Sequence, residues 1–159
     1  MSNCISIGAS VPDFTAVGTR DEPIRLSDLR GHRVVLYFYP KDNTPGCTLE
    51  AKEFRDRQQA FDALGTVVFG VSRDSVRKHD NFRAKYGLSF DLLSDSDESL
   101  CNLFDVLRRK RLYGREYIGI ERSTFVIDGE GILRREWRNV KPEGHAESVL
   151  ACVKELTGN

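Results

Sequence analysis

Pro40, Thr44 and Cys47 carry the strongest chemical signal in the chain. They sit at fixed spacing in Tyr39-Pro40-Lys41-Asp42-Asn43-Thr44-Pro45-Gly46-Cys47-Thr48-Leu49-Glu50. The apolar run Val34-Val35-Leu36-Tyr37-Phe38 before this stretch reads as a buried strand, and residues 47–64 after it read as a helix. A strand that enters a helix through a Pro/Gly loop places Cys47 in the first helical turn. Unpaired backbone N–H groups and the positive end of the helix dipole favour an anion there. A thiol in that position is drawn towards thiolate, the form that attacks electrophiles. Cys47 is therefore expected to be a nucleophile. A lone buried cysteine is more often a small core residue, so the expectation rests on the loop as much as on the sulfur.

The elements that must hold this loop are legible on both sides of it. Residues 11–17 read as a short strand and Ile24-Arg25-Leu26 as its hairpin partner, followed by a capped turn at 27–31. Arg33–Phe38 is the central strand. The helix at 47–64 places Cys47, Ala51, Phe54, Phe61 and Leu64 on one face and ends at Gly65. A buried strand follows at 66–71. Ser72-Arg73-Asp74-Ser75 caps a helix over 76–86, which stops at Gly87. A short strand at 90–93, a helix at 98–104 and a basic loop come next. Residues 123–127 and 132–137 form a hairpin around Asp128-Gly129-Glu130-Gly131, and a helix at 145–156 closes the chain. Strand–helix alternation implies parallel pairing with helices on both faces, and the hairpin makes the sheet mixed. The expected fold class is α/β, a thioredoxin-like core with a central mixed sheet and an N-terminal hairpin extension. All 159 residues are expected to form one domain.

Composition narrows the function classes. The chain is 40% hydrophobic and 30% charged, with 24 basic and 24 acidic residues and no net charge. Such a balance gives no general pull towards nucleic acid or a membrane surface. Arg108-Arg109-Lys110-Arg111, with Arg115 nearby, reads as a solvated loop, since no aromatic platform is seen with it. No segment approaches the roughly 18 apolar residues of a membrane span, and the first residues lack a secretory pattern; a cytoplasmic protein is expected. The four cysteines, at 4, 47, 101 and 152, show no C-x-x-C spacing. That argues against a zinc knuckle, a dithiol redox motif and a disulfide framework. A thiol-disulfide oxidoreductase is disfavoured because Thr44, not a cysteine, lies three residues before Cys47. A C-x5-R phosphate loop fails because Glu53 stands where the arginine belongs. His32, His79 and His145 are dispersed, and no metal or cofactor is assigned.

The spacing P-x-x-x-T-x-x-C resembles the peroxiredoxin active-site motif, and the stretch 37–50 resembles its peroxiredoxin Q, or bacterioferritin comigratory protein, branch. The resemblance runs almost end to end. It includes Gly8-Ala9-Ser10-Val11-Pro12-Asp13-Phe14, Leu93-Ser94-Asp95, Arg122-Ser123-Thr124-Phe125-Val126-Ile127-Asp128 and Gly144-His145-Ala146. It implies a thiol-dependent peroxidase acting on hydrogen peroxide and organic hydroperoxides, in antioxidant defence and redox homeostasis. Cys47 would attack one peroxide oxygen and become a sulfenic acid. Arg122 would supply a guanidinium beside it, and Thr44 a hydroxyl that accepts from the peroxide. Pro40 would shield the sulfur from water, Gly46 would let the backbone approach the substrate, and Glu50 would orient the loop. The backbone N–H groups of Gly46 and Cys47 would donate to the peroxide oxygens as charge develops.

One departure from the branch bears on mechanism. Its resolving cysteine commonly lies five residues after the nucleophile, where this chain has Lys52, or in the next helix, where residues 75–86 contain none. A one-cysteine cycle is therefore expected, with the sulfenic acid reduced by an outside thiol such as thioredoxin, glutaredoxin or glutathione. The alternatives are an atypical cycle resolved by Cys101, Cys152 or Cys4, and a non-catalytic thioredoxin-like binding module. Cys101 and Cys152 lie on helices that read as packed, whereas Cys4 lies in the tail and reaches furthest. A monomer is expected.

Overall fold

The computed structural model describes residues 5–157. Cys4 lies outside the described residues. Strands β1 (Thr15–Gly18) and β2 (Pro23–Arg25) open the fold, and β3 (Arg33–Phe38) leads into helix α1 (Pro45–Asp56), short helix α2 (Gln58–Ala63) and β4 (Thr66–Ser72). Next come α3 (Val76–Tyr86), β5 (Asp91–Ser94) and α4 (Ser99–Leu103). Strands β6 (Leu107–Leu112), β7 (Arg115–Ile120), β8 (Ser123–Ile127) and β9 (Leu133–Trp137) precede the final helix, α5 (His145–Thr157).

Seven strands form one sheet in the order β2-β1-β5-β4-β3-β8-β9. The central β3–β4 and β4–β5 pairs are parallel; β1 and β8 join antiparallel on either side. This is the expected mixed α/β sheet. The buried run in β3 is split by the pleat between two cores. Val34, Leu36 and Phe38 face a cluster with Leu100, Phe104 and Phe125. Val35 and Tyr37 face the other cluster, with Phe54, Phe61, Phe82 and Val149 from α1, α2, α3 and α5.

The N-terminal hairpin forms as expected, and β1 also pairs with β5, which carries it onto the main sheet. Three expectations change in detail. The first strand starts at Thr15 and not at residue 11: the Val11 N–H bonds to the Gly131 carbonyl instead, and Pro12 has no N–H to give a ladder. The long helix starts at Pro45, a favoured first helical residue, and breaks at Arg57 (φ −107°, ψ 10°). The break leaves both Phe54 and Phe61 fully buried. The basic segment is not a loop. It is β6, paired in full with β7 as a two-stranded ribbon outside the main sheet. Four consecutive cations hide any apolar alternation, but Tyr113 and Gly114 both take positive φ (51° and 77°), as a type I′ hairpin requires.

Candidate active site

Cys47 is the third residue of α1 and is buried, with 1% of its surface exposed. Pro45 has no N–H, and the first helical bond runs from the Thr48 N–H to the Thr44 carbonyl. Helix geometry therefore leaves the N–H groups of Gly46 and Cys47 without an intrahelical acceptor, beside the sulfur. Thr44 is the N-cap residue by backbone geometry, yet its side chain does not cap. Its hydroxyl donates to the Lys41 carbonyl at 3.0 Å. With its hydrogen so engaged, the oxygen is left as an acceptor.

Arg122 arrives through strand register. In the antiparallel β3–β8 pair, Phe38 lies opposite Ser123. The residue before Ser123 is thus held beside the end of β3, where the loop to α1 begins. The Arg122 guanidinium donates from Nη2 to Cys47 Sγ at 3.4 Å and from Nη1 to Glu50 Oε1 at 2.7 Å. Burial opposes its charge, but Glu50 and Cys47 together hold the Arg122 pKa above its ordinary value. Glu50 is fully buried, and its Oε2 has no protein partner. Burial pushes the Glu50 carboxyl up from 4.5 to about 7, with Arg122 working against that rise.

Gly46 leaves room for this packing. A Cβ there would lie 3.3 Å from Arg122 Nη2 and 3.5 Å from Pro142 Cγ. Pro142 belongs to the segment between β9 and α5, which the fold ties to the site. The Val140 N–H donates to the Arg122 carbonyl at 3.0 Å, and the Gly144 N–H donates to Glu53 Oε1 at 2.9 Å. His145 then starts α5 with Nε2 2.7 Å from Thr124 Oγ1. Burial, then Arg122, lowers its pKa from 6.5 to about 4, so the imidazole is neutral at pH 7.

Sequence reasoning passed over the loop's rear anchor. Asp42 accepts from the Tyr39 hydroxyl through Oδ1 and meets His79 Nδ1 through Oδ2 at 2.7 Å. His79 Nε2 faces the Leu93 carbonyl at 3.0 Å and so carries a hydrogen. Asp74 Oδ2 accepts from the Asp42 N–H and the Ser72 hydroxyl, at 2.8 and 2.6 Å. Asp42, Asp74 and His79 offer ligand atoms within 4.8 Å of one another, but both His79 nitrogens and the inner Asp74 oxygen already hold this network together. Its work is to fix the backbone between Pro40 and Thr44. The one hint was a short polar residue inside an otherwise turn-like loop. A cavity of about 300 Å³, lined partly by Lys41, Asn43, Lys78 and Phe82, opens on the outside of that loop.

Two further cysteines, Cys101 and Cys152, lie among the described residues. Cys101 belongs to the core cluster on the opposite sheet face from Cys47. Burial, then Asp95, pushes its thiol far up. Cys152 is buried on α5, and burial raises its pKa as well.

Comparisons with known proteins show the family. A profile of the AhpC/TSA family matches residues 7–136. Peroxiredoxin Bcp of Bacillus subtilis is 48% identical over 153 residues, covering 96% of this chain and 98% of its own. Peroxiredoxin Bcp of Xanthomonas campestris is 54% identical over 124 residues, 78% of each chain. A structure of the Xanthomonas campestris bacterioferritin comigratory protein, described for its alkyl peroxide reduction activity, superposes with a TM-score of 0.89. It is 45% identical over 96% of this chain and 98% of that one. A Xylella fastidiosa peroxiredoxin Q structure superposes with a TM-score of 0.91, at 44% identity over 96% and 97%. The chain belongs to the AhpC/TSA family, among the peroxiredoxins of its Bcp/peroxiredoxin Q branch.

Proposed function

We propose that this peroxiredoxin reduces hydrogen peroxide and organic hydroperoxides through Cys47 and returns to its thiol form with the help of an external thiol. The observation that carries the reading is the single guanidinium, Arg122, spanning Cys47 Sγ and Glu50 at the N-terminus of α1. Thiolate attacks one peroxide oxygen, the O–O bond breaks, and the other oxygen leaves as hydroxide or alkoxide and takes a proton. Cys47 is left as sulfenic acid. Arg122 and the Gly46 and Cys47 N–H groups stand where that negative charge grows, so their contribution rises in the transition state. The Thr44 oxygen accepts from the peroxide O–H and aligns it with the sulfur. Pro40 and Pro142 limit water around the thiol, and Glu50 holds the guanidinium in place. Loss of peroxide consumption in Cys47→Ser, with hydrogen peroxide and alkyl hydroperoxides as substrates, tests the assignment. Equal turnover by wild type and variant would overturn it.

The one-cysteine cycle is supported by the residues at the branch's usual resolving positions and by the place of Cys101. Lys52, five residues after Cys47, places its ammonium 5.2 Å from the Tyr86 ring. Helix α3 has no cysteine, and Cys101 lies across the sheet. Thioredoxin, glutaredoxin or glutathione supplies the reducing thiol. Mass spectrometry under non-reducing conditions, after one equivalent of peroxide, is expected to find sulfenic acid and no stoichiometric intramolecular disulfide. The reading extends to a single-domain cytoplasmic monomer. It is supported by cysteine spacing that offers no disulfide framework. No helix among the described residues is long and apolar enough to cross a membrane.

A further inference from the structure

The β6–β7 ribbon concentrates positive charge. Residues 107–120 hold five basic side chains and one acidic one, so the ribbon carries +4 while the rest of the neutral chain carries −4. Glu116 is shared by Arg109 and Arg111, at 4.0 and 3.1 Å, and Arg115 has no ion pair among the described residues. The tip is apolar as well as cationic. Tyr113 is 96% exposed, and Leu112, Tyr117 and Ile118 are exposed beside it. Neither ribbon strand pairs with the main sheet.

The ribbon borders the thiol. Its second strand runs within two residues of Arg122. Lys110 reaches inwards to donate to the Ile120 carbonyl at 2.6 Å, and Arg122 and Cys47 both act on its charge. Gly119 permits this fold of the ribbon, since a Cβ there would meet the Tyr117 ring at 3.0 Å and the Lys110 stem at 3.1 Å.

We propose that the β6–β7 ribbon is the docking surface for the protein that reduces Cys47, a dithiol protein whose thiol lies next to an acidic face with an apolar centre. The inference rests on the externally reduced cycle above. Charge selects this occupant. Two ribbons of one kind would set +4 against +4, which disfavours a symmetric dimer here. An acidic partner is steered to the rim of the site, and exposed tyrosines supply contact area at low entropic cost. The partner's thiolate attacks Cys47 Sγ of the sulfenic acid. An S–S bond forms, the S–O bond breaks, and hydroxide leaves and takes a proton as water. The partner's second thiolate attacks its own sulfur in the mixed disulfide, forming the partner's disulfide and releasing Cys47 thiolate.

The test uses a thioredoxin of net negative charge as protein dithiol and dithiothreitol as uncharged small dithiol. Arg109→Glu/Arg111→Glu/Arg115→Glu is expected to raise KM for thioredoxin about tenfold or more at low salt, since rim charges set encounter rate and salt dependence. Rising ionic strength should bring wild type towards the variant. Peroxide attack, followed by Trp137 fluorescence, and dithiothreitol-supported turnover should not change. Tyr113→Ser, at a side chain free of packing, should also raise the thioredoxin KM but leave its salt dependence intact. Four results would overturn the proposal: an unchanged thioredoxin KM, an equal loss with dithiothreitol, no turnover of wild type with the acidic thioredoxin, or ribbon-dependent binding of a single-stranded oligonucleotide with thioredoxin KM unaffected. An intramolecular disulfide in the mass spectrum would instead remove the one-cysteine cycle, so the two failures are read by different experiments.

Discussion

Glu50→Gln removes one charge from the site while keeping the side chain's volume and an acceptor for Arg122. In the folded protein the carboxyl is fully buried, accepts one bond from Arg122 and leaves Oε2 without a protein partner. Burial raises its pKa from 4.5 to about 7. The folded state thus holds this proton more tightly than the unfolded chain. Stability from Glu50 is fully present below pH 4.5 and is lost as pH rises through about 7. At about 1.4 kcal/mol per pH unit, the loss between pH 5 and pH 8 amounts to about 3 kcal/mol. Urea unfolding of wild type and Glu50→Gln at a series of pH values measures it. Any difference between the amide and the protonated carboxyl offsets the two curves by a constant, but the pH-dependent part, in which the Arg122 ion pair is already counted, should shift in the variant's favour by about 3 kcal/mol from pH 5 to pH 8. The same titration changes how much of the guanidinium's field is left for Cys47, so any step in peroxide reactivity near pH 7 should vanish in the variant. Parallel stability curves across that range would refute the account of Glu50 as a carboxyl whose proton is held by burial.

Three further outcomes follow from the same geometry. Thr44→Val keeps the shape of the loop but removes the hydroxyl; kcat/KM for hydrogen peroxide should fall about a hundredfold with unfolding unchanged, and a loss of less than about threefold would discount Thr44 as a peroxide acceptor. Gly46→Ala sets a methyl 3.3 Å from Arg122 Nη2; displacement of the guanidinium should slow peroxide attack about tenfold, and an unaltered rate would mean that Arg122 adapts freely. The His145 imidazole should titrate near pH 4, since burial and Arg122 disfavour its charged form. Its contribution to stability is present above pH 6.5 and is lost as pH falls towards 4, and an NMR midpoint near 6.5 would contradict its burial against Thr124.

The sequence by itself marked Cys47 and its loop as the candidate site, because their chemistry is local. A Pro/Gly entry into a helix places N–H groups within one turn of Cys47 whatever the rest of the chain does. The apolar β3 run, the α3 caps and the α5 stripe are likewise periodic signals within one element. Motif likeness added Arg122 as a guanidinium beside Cys47 and Glu50 as a loop-orienting residue, but not the contact between the two. Only the tertiary structure decided that Arg122 bridges Cys47 and Glu50, because that depends on the register of β8 against β3 across a separation of 75 residues. Only burial decided that Glu50 holds its proton to about pH 7, and only packing brought His79 and Asp74 behind Asp42. The basic segment shows the same division. Its charge was plain in the sequence, but four adjacent cations have no apolar alternation to mark a strand. Pairing with β7 turned them into a ribbon beside the thiol that the loop at Pro40 to Cys47 had already marked.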